Sequence, residues 1–135
     1  SINDNSFKIV ETSSITTTLG GVEVPVITIT DFSHSRWDEL RKKVVIITGR
    51  VHPGESNSSW IVHGIIRFLL SKDKVANELR KKLIFKIIPM INADGVMIGN
   101  TRCSLIGRDV NRLFGAPNQK LTPEPYFLRQ LVRDL

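Results

Sequence analysis

The stretch that most constrains this chain is Lys43–Trp60, which reads KVVIITGRVHPGESNSSW. Its first part, Val44–Thr48, is an apolar run rich in β-branched side chains, and such runs predict a buried strand. A tight loop that carries His52 and Glu55 follows the strand, and the stretch from Ser56 onward favours a helix. Ligands of open α/β sheets bind beyond the carboxyl ends of the strands. His52 and Glu55 are therefore candidate site residues.

The pair His52 and Glu55 offers one imidazole nitrogen and one carboxylate oxygen, and both atoms are suitable zinc ligands. Pro53 and Gly54 form a turn between them that could direct both side chains to one side. The spacing is a weak signal when taken alone. From the spacing alone, a surface loop with two solvated side chains is the favoured interpretation.

A second apolar run predicts the partner of the first strand. The segment Asn57–Ser71 has the pattern of a helix whose apolar positions cover more than one face, so we expect it to be largely buried. Asp73–Lys82 is predicted to be a charged helix, and Leu83–Met90 a second strand. A strand, helix and strand in succession predict that residues 44–48 and 83–89 are parallel neighbours with a right-handed crossover. The inward residues of the charged helix are predicted to be Val75, Leu79 and Ala76.

The flanking segments complete the predicted domain. Residues 1–13 are polar and are predicted to be a lead-in, so that the domain occupies residues 14–135. The runs Ser14–Leu19 and Glu23–Thr30 flank a Gly-Gly pair, which predicts a hairpin. Further along, the cluster Asn92-Ala93-Asp94-Gly95 predicts a turn. The last predicted element is a helix from Glu124 to about Arg133, with Thr122 as its N-cap and Pro123 at its first position.

Composition excludes several classes of protein. Apolar residues make up 41% of the chain, which is enough for a core, and no run of about eighteen apolar residues could cross a membrane. No secretory leader opens the sequence. Cys103 is the single cysteine, so no internal disulfide is possible, and a reducing compartment is expected. We therefore predict a cytoplasmic protein without membrane contact.

The net charge is +6, spread over basic clusters such as Arg41–Lys43 and Arg80–Lys82. A solvated basic surface explains such a charge, and so does attraction of acidic polypeptides or nucleic acid. No nucleic-acid-binding motif accompanies the charge. Nucleic-acid binding is therefore not expected, and it stays as the weakest of three functional hypotheses.

Three motifs in a fixed order carry a family resemblance. They are His52-Pro53-Gly54-Glu55, then Asn92–Val96 with Gly99-Asn100-Thr101-Arg102, and then Gly107–Arg112. In this arrangement the chain resembles the zinc metallocarboxypeptidases of family M14. It is most similar to their cytosolic carboxypeptidase branch, whose members trim glutamates from protein tails. The resemblance covers residues 15–134 and implies an α/β fold with a mixed, largely parallel sheet and helices on both faces, incomplete in this chain.

The resemblance gives metal-site roles to three residues. His52 and Glu55 would be zinc ligands, so Zn²⁺ is the implied cofactor. Asp109 would accept the second ring N–H of His52, which would fix the tautomer as metal-bound histidines require. Without the resemblance, Asp109 is equally well explained as the cap of a loop.

Substrate roles follow from the same resemblance. Arg102 would polarise the scissile carbonyl and stabilise the developing oxyanion. Asn111 and Arg112 would hold the C-terminal carboxylate of the substrate. Without the resemblance, Asn111 and Arg112 are typical of a surface turn. Cys103 has no required chemistry and is expected to pack.

The sequence departs from the family pattern at two functions. The third zinc ligand of the family is a histidine on a later strand, and its general base is a later glutamate; neither His34 nor His63 matches. A catalytic zinc needs three protein ligands. We therefore expect this chain to be the N-terminal portion of a catalytic domain, to be inactive alone, and to expose apolar surface along its sheet.

The leading hypothesis is thus a zinc carboxypeptidase, with the remainder of the domain or a partner chain supplying the missing groups. Its expected substrates are acidic protein C-terminal tails, such as tubulin-like tails, because the basic surface would attract them. The alternative hypothesis is a non-catalytic binding or structural module that uses a truncated peptidase fold. A downstream histidine and glutamate in the gene would favour the enzyme.

Overall fold

The computed structural model describes residues 8–33 and 41–135. Its four strands are β1 (Val10–Thr17), β2 (Glu23–Ile29), β3 (Lys43–Thr48) and β4 (Leu83–Ile88). Its helices are α1 (Ser56–Leu69), α2 (Lys74–Lys82), α3 (Ala93–Met97) and α4 (Pro123–Arg133), with a 3-10 helix at Val110–Arg112. His34 lies outside the described residues.

The strands form one mixed sheet in the order β1-β2-β4-β3. β3 and β4 are parallel from the pair Lys43–Leu83 to the pair Thr48–Ile88, as the strand-helix-strand pattern predicts. The hairpin predicted around the Gly-Gly pair is also present, because β1 and β2 are antiparallel. β2 and β4 are antiparallel as well, so the β3–β4 pairing is the parallel one among the described strands. The predicted mixed α/β class is confirmed.

Pro25 is placed near the start of β2, where it is opposite Ser14 of β1. β2 lies between β1 and β4, so the proline is not on an edge strand. Proline has no N–H to donate to a sheet. The register between β1 and β2 shifts between Ser14 and Thr16, directly beside this proline. β1 itself begins at Val10, inside the segment predicted to be a lead-in.

Helices cover both faces of the sheet, because alternate strand residues point to opposite sides. One buried cluster joins the sheet to α4, and its members are Val24, Val26, Ile88, Ile91, Val110 and Leu128. The other joins the sheet to α1, and its members are Ile29, Val62, Leu69, Phe85 and Ile87. The sheet is therefore the middle layer of three.

The prediction that the helix after His52 is largely buried is wrong. Val62 and Leu69 are its fully buried residues, whereas Trp60 is 76% exposed and Ile61 is exposed as well. α1 packs on the sheet along one face, where Ile65 and Ile66 are also half-buried, whereas Trp60, Ile61 and Phe68 are exposed. In α2, Val75 is likewise exposed rather than inward, and the buried positions are those of Ala76 and Arg80.

The carboxyl ends of β3 and β4 continue side by side beyond the sheet. Gly49 N–H donates to Ile88 O (3.0 Å), and Ile91 N–H donates to Gly49 O (2.9 Å). Asn92 N–H then donates to Arg50 O (3.0 Å). The loops that follow both strands therefore start from one rigid edge. Within the described part of the chain, no helix has the length and hydropathy to cross a membrane.

Candidate metal centre and its surroundings

The loop that carries His52 is fixed by its neighbours on both sides. Arg50, which precedes it, has a positive φ of 51°, an uncommon conformation for a non-glycine residue. The Arg50 N–H donates to Ser58 Oγ (3.0 Å), and that hydroxyl donates to Glu55 O (2.8 Å). The first turn of α1 thus closes the loop from one side. Asn92 closes it from the other side through a bond from Nδ2 to Val51 O (3.4 Å).

Two glycines allow three loops to pack closely at this edge. Gly54 N–H donates to Thr101 O (2.8 Å), and a Cβ at Gly54 would lie 2.8 Å from that same oxygen. A Cβ at Gly95 would lie 2.5 Å from Pro53 Cγ and 2.7 Å from Cys103 O. Neither position has room for a side chain. The Pro-Gly turn, α3 and the Arg102 loop are therefore joined at van der Waals contact.

His52 lies at the centre of the site, and it is 9% exposed. Its Nδ1 is 2.9 Å from Glu55 Oε1, and its Nε2 is 3.0 Å from Asp109 Oδ1. The Glu55 side chain is itself 56% exposed. The structure thus brings together the two predicted ligands, and it puts Asp109 on the far side of the ring, as the resemblance implies.

The surroundings of His52 favour a cation beside it. A neutral imidazole has one N–H, yet both of its nitrogens face a carboxylate oxygen. If Nε2 carries the proton and donates it to Asp109, the Nδ1 lone pair faces the negative oxygen of Glu55. That arrangement is repulsive unless a second proton or a metal ion lies between Nδ1 and Oε1. The pair is therefore suited to bind a cation.

The distance between these two atoms is compatible with zinc. Tetrahedral zinc with ordinary bond lengths would separate a nitrogen and an oxygen ligand by about 3.4 Å. Nδ1 and Oε1 are 2.9 Å apart, so a shift of the half-exposed Glu55 side chain would make room. Because Asp109 contacts the opposite ring nitrogen, it is not a third ligand. Across residues 8–33 and 41–135, no group of three His, Cys, Asp or Glu side chains is arranged to hold a metal.

Arg102 joins this cluster through Asp109. Its Nε donates to Asp109 Oδ2 (2.9 Å), and its Nη2 is 2.8 Å from the same oxygen. The backbone N–H of Asn111 donates to Asp109 Oδ1 (2.9 Å). Desolvation raises the pKa of Asp109, but hydrogen bonds from His52, Asn111 and Arg102 outweigh it and hold that pKa below its ordinary value. Asp109 is therefore a charged acceptor, and it also caps the 3-10 helix.

The two residues predicted to bind the substrate carboxylate are placed differently. Asn111 and Arg112 follow Asp109 in the 3-10 helix, and both are exposed. Asn111 contacts the cluster through its backbone, and Arg112 N–H donates to Asp109 O (3.0 Å). Their positions next to Asp109 bring them to the edge of the site. His63, by contrast, is exposed on α1, away from this loop.

Sequence reasoning missed the residues that support the loops. Asn92 is fully buried and accepts from Gly95 N–H (3.0 Å) as the N-cap of α3, and residues 93–95 of the predicted turn form the start of that helix. Asn100 Nδ2 donates to Cys103 O (3.0 Å) and fixes the Arg102 loop. Asp94 accepts from Thr18 Oγ1 (2.6 Å), so α3 also holds the hairpin. The Asn-x-x-Gly spacing was the available signal, because it fits an N-cap followed by a tightly packed glycine.

Comparisons with known proteins point to one family. A search of protein families matches residues 1–127 to the family described as zinc carboxypeptidase, peptidase M14. Cytosolic carboxypeptidase 4 of Homo sapiens is 48% identical over 123 residues, which are 87% of this chain and 11% of that protein. Cytosolic carboxypeptidase 6 of Caenorhabditis elegans is 54% identical over 91 residues, which are 67% of this chain and 20% of that protein.

A solved structure extends the similarity to the fold. The crystal structure of a metallo-carboxypeptidase from Burkholderia cenocepacia superposes with a TM-score of 0.86 at 29% identity. The match covers 97% of this chain and 35% of that chain. The carboxypeptidase A of Helicoverpa armigera, at 18% identity and a TM-score of 0.75, shares the fold. This chain spans about a tenth of the length of the human relative, at 11%.

Proposed function

The chain belongs to the zinc carboxypeptidase family, peptidase M14, and from that premise we propose that it forms part of a zinc-dependent carboxypeptidase. The enzyme would remove C-terminal residues, glutamates among them, from protein substrates. One observation carries the proposal. His52 Nδ1 faces Glu55 Oε1 at 2.9 Å while Nε2 contacts Asp109 at 3.0 Å, which supports His52 and Glu55 as the ligand pair and Asp109 as the acceptor that would fix the ring.

In this proposal His52 and Glu55 hold the zinc ion, and Asp109 accepts the Nε2 proton so that Nδ1 is free for the metal. An acceptor behind a metal-bound histidine raises the basicity of the ligand and fixes its orientation. Zinc, when bound, would supply Lewis-acid polarisation of the scissile carbonyl and an activated water. The buried position of His52 limits competing water around the imidazole.

The residues around Asp109 would contact the substrate. Arg102 carries a guanidinium that contacts Asp109, and it would stabilise negative charge that develops on the scissile carbonyl oxygen. Arg112 would pair with the terminal carboxylate through a fork of two N–H groups, and the Asn111 amide would add a further donor. Both are exposed and thus accessible to a peptide end.

Acidic protein tails, including tubulin-like tails, are the proposed substrate class. The chain has a net charge of +6, and a basic surface raises the local concentration of acidic peptides. A cytoplasmic location is proposed because several similar proteins carry the name cytosolic carboxypeptidase. The residue that selects the terminal side chain is not assigned.

The third zinc ligand and the general base would come from chain outside residues 1–135. His63 is exposed on α1 and is not part of the cluster. Two ligands leave a zinc ion with few anchors, and weak binding follows. The second candidate is a binding module that has no catalytic role.

A paired assay tests the proposal. Zinc content and release of glutamate from an acidic peptide are measured for residues 1–135 and for a polypeptide extended through the next histidine and glutamate. We expect weak zinc binding and no hydrolysis in the short form, and tight zinc binding with hydrolysis in the extended form. Hydrolysis by the short form would contradict the missing-ligand proposal, and inactivity of a zinc-loaded extended form would favour the binding module.

A further inference from the structure

One carboxylate connects the two sides of the candidate site. Asp109 Oδ1 faces His52 Nε2 at 3.0 Å, and Asp109 Oδ2 accepts from Arg102 Nε at 2.9 Å. The Asn111 N–H, which donates to Oδ1, fixes the carboxylate to the backbone of the 3-10 helix. The orientation of Arg102 and that of the histidine therefore depend on the same side chain.

Arg102 needs such an anchor because little else restrains it. Its side chain is 53% exposed, whereas that of Asp109 is 18% exposed. A long exposed arginine populates many rotamers, and ordering it costs conformational entropy. Contacts from Nε and Nη2 to one oxygen occupy one edge of the guanidinium and leave Nη1 for another acceptor. The Nη1 group of Arg102 is therefore directed away from Asp109.

We propose that Asp109 is a positioning residue for Arg102 as well as for His52. This inference rests on the proposed function, in which Arg102 stabilises the developing oxyanion. A donor stabilises a transition state best when its direction is fixed before the reaction begins. The contact of two Arg102 nitrogens with one Asp109 oxygen matters here more than the charge alone, because a lysine has no planar guanidinium that could make it.

A double-mutant cycle separates the two roles of Asp109. Asp109→Ala, Arg102→Ala and the double variant are made in the full-length protein and assayed at saturating zinc, with bound zinc measured in each. We expect Asp109→Ala to weaken zinc binding about 10- to 100-fold through His52. At saturating zinc its kcat should still fall about 100-fold, as for the loss of an oxyanion donor. In the Arg102→Ala background the same substitution should change kcat by less than about tenfold.

Equal costs of Asp109→Ala in both backgrounds would overturn the inference, because Asp109 would then act on catalysis without Arg102. Arg102→Lys provides a second test that keeps the acid and its bond to His52. This variant should bind zinc normally and lose nearly as much kcat as Arg102→Ala. Wild-type kcat in Arg102→Lys would also overturn the inference. Glu78→Gln is the matched control, because it removes an exposed carboxylate 2.9 Å from Lys81 on α2, and it should change neither quantity.

A measurement without turnover separates this inference from the proposed function. Nitrogen-15 relaxation of the Arg102 Nε should report an ordered group in the wild type and a mobile group in Asp109→Ala. A mobile Arg102 Nε in the wild type would overturn the inference even if the enzyme is active. If the zinc-loaded wild type does not hydrolyse peptides, the proposed function fails, and the relaxation result still decides whether Asp109 positions Arg102.

Discussion

The candidate site has two halves that are held in different ways: the proposed metal-binding half, which is His52 and Glu55, and the proposed carboxylate-binding half, which is Asn111 and Arg112. His52 is buried and contacts two carboxylates, and its loop is bonded to α1, to Asn92 and to Thr101. Arg112 is exposed, and its described bonds involve the backbone. The residues of this chain therefore fix His52, while the third zinc ligand is proposed to come from outside residues 1–135 and the exposed Arg112 is proposed to be ordered by a substrate.

This difference indicates what each half needs in order to function. A metal site must hold its ligands at fixed distances, so close packing and second contacts to each ligand are required. A cation that captures a flexible peptide end can be ordered when the substrate arrives. Substitutions in the first half should therefore alter metal binding or stability, and substitutions in the second half should alter substrate affinity.

The largest expected effect is on zinc binding. His52→Ala removes one of the two zinc ligands proposed in this chain. Loss of a residue that only supports a ligand lowers metal affinity by up to roughly 100-fold, so loss of the ligand itself should lower the zinc affinity of the full-length protein by more than that. Competition with a chelator measures the affinity. His63→Ala is the matched control, since that histidine is exposed on α1, and it should leave zinc binding unchanged. Similar losses in both variants would contradict the assignment of the metal-binding half.

A stability effect should follow from the packing beneath the same loop. Gly95→Ala would put a Cβ 2.5 Å from Pro53 Cγ and 2.7 Å from the backbone oxygen of Cys103, so backbone must move. We expect a loss of about 2–3 kcal/mol in the free energy of unfolding, as for other overpacked sites. Gly64→Ala on α1 meets no atom within 4 Å and should gain about 0.5–1 kcal/mol. Urea denaturation measures both, and equal effects would contradict the close packing.

The carboxylate-binding half should respond in KM and leave the metal alone. Arg112→Gln removes a charge-assisted hydrogen bond to the substrate, worth about 1.5–3 kcal/mol, so KM should rise about 10- to 100-fold. Bound zinc should not change. Arg133→Gln, in the last turn of α4, removes the same charge from an exposed position and should alter neither quantity. Loss of zinc in Arg112→Gln would show that the two halves are not separate.

The sequence predicted those parts of the molecule that depend on local pattern. The strand at residues 44–48, its parallel partner and the Gly-Gly hairpin follow from β-branched runs and turn residues. The sequence did not predict the exposure of Trp60, because apolar periodicity does not reveal which face of a helix has a partner. Nor did it reveal that Asn92 and Thr101 support the loops, since backbone acceptors and buried amides have no chemical signature in a sequence.

The buried carboxyl group of Glu124 lies near the elements that support the metal-binding half. Its effect on the free energy of unfolding should be the smallest of those predicted. Glu124 lies in the first turn of α4 and is 6% exposed. Burial, helped by the nearby charge of Asp94, raises the pKa of Glu124 above its ordinary value of 4.5. Asp94 in turn accepts from Gly20 N–H (2.9 Å) at the hairpin turn. The group therefore lies next to the contact between α3 and the hairpin.

The sign of the resulting pH dependence follows from linkage. Below the ordinary pKa, Glu124 is protonated in the folded and unfolded states and has no net effect on stability. As pH rises from there through the raised pKa, the unfolded chain releases the proton first, so the native state loses stability. Glu124→Gln should therefore be more favourable relative to wild type at pH 7 than at pH 3. Urea denaturation at both pH values measures the difference.

Glu78→Gln is the control with the opposite sign, because hydrogen bonding and charge from Lys81 lower the pKa of Glu78. If the advantage of Glu124→Gln did not grow between pH 3 and pH 7, the buried carboxyl would have no part in the stability of this framework.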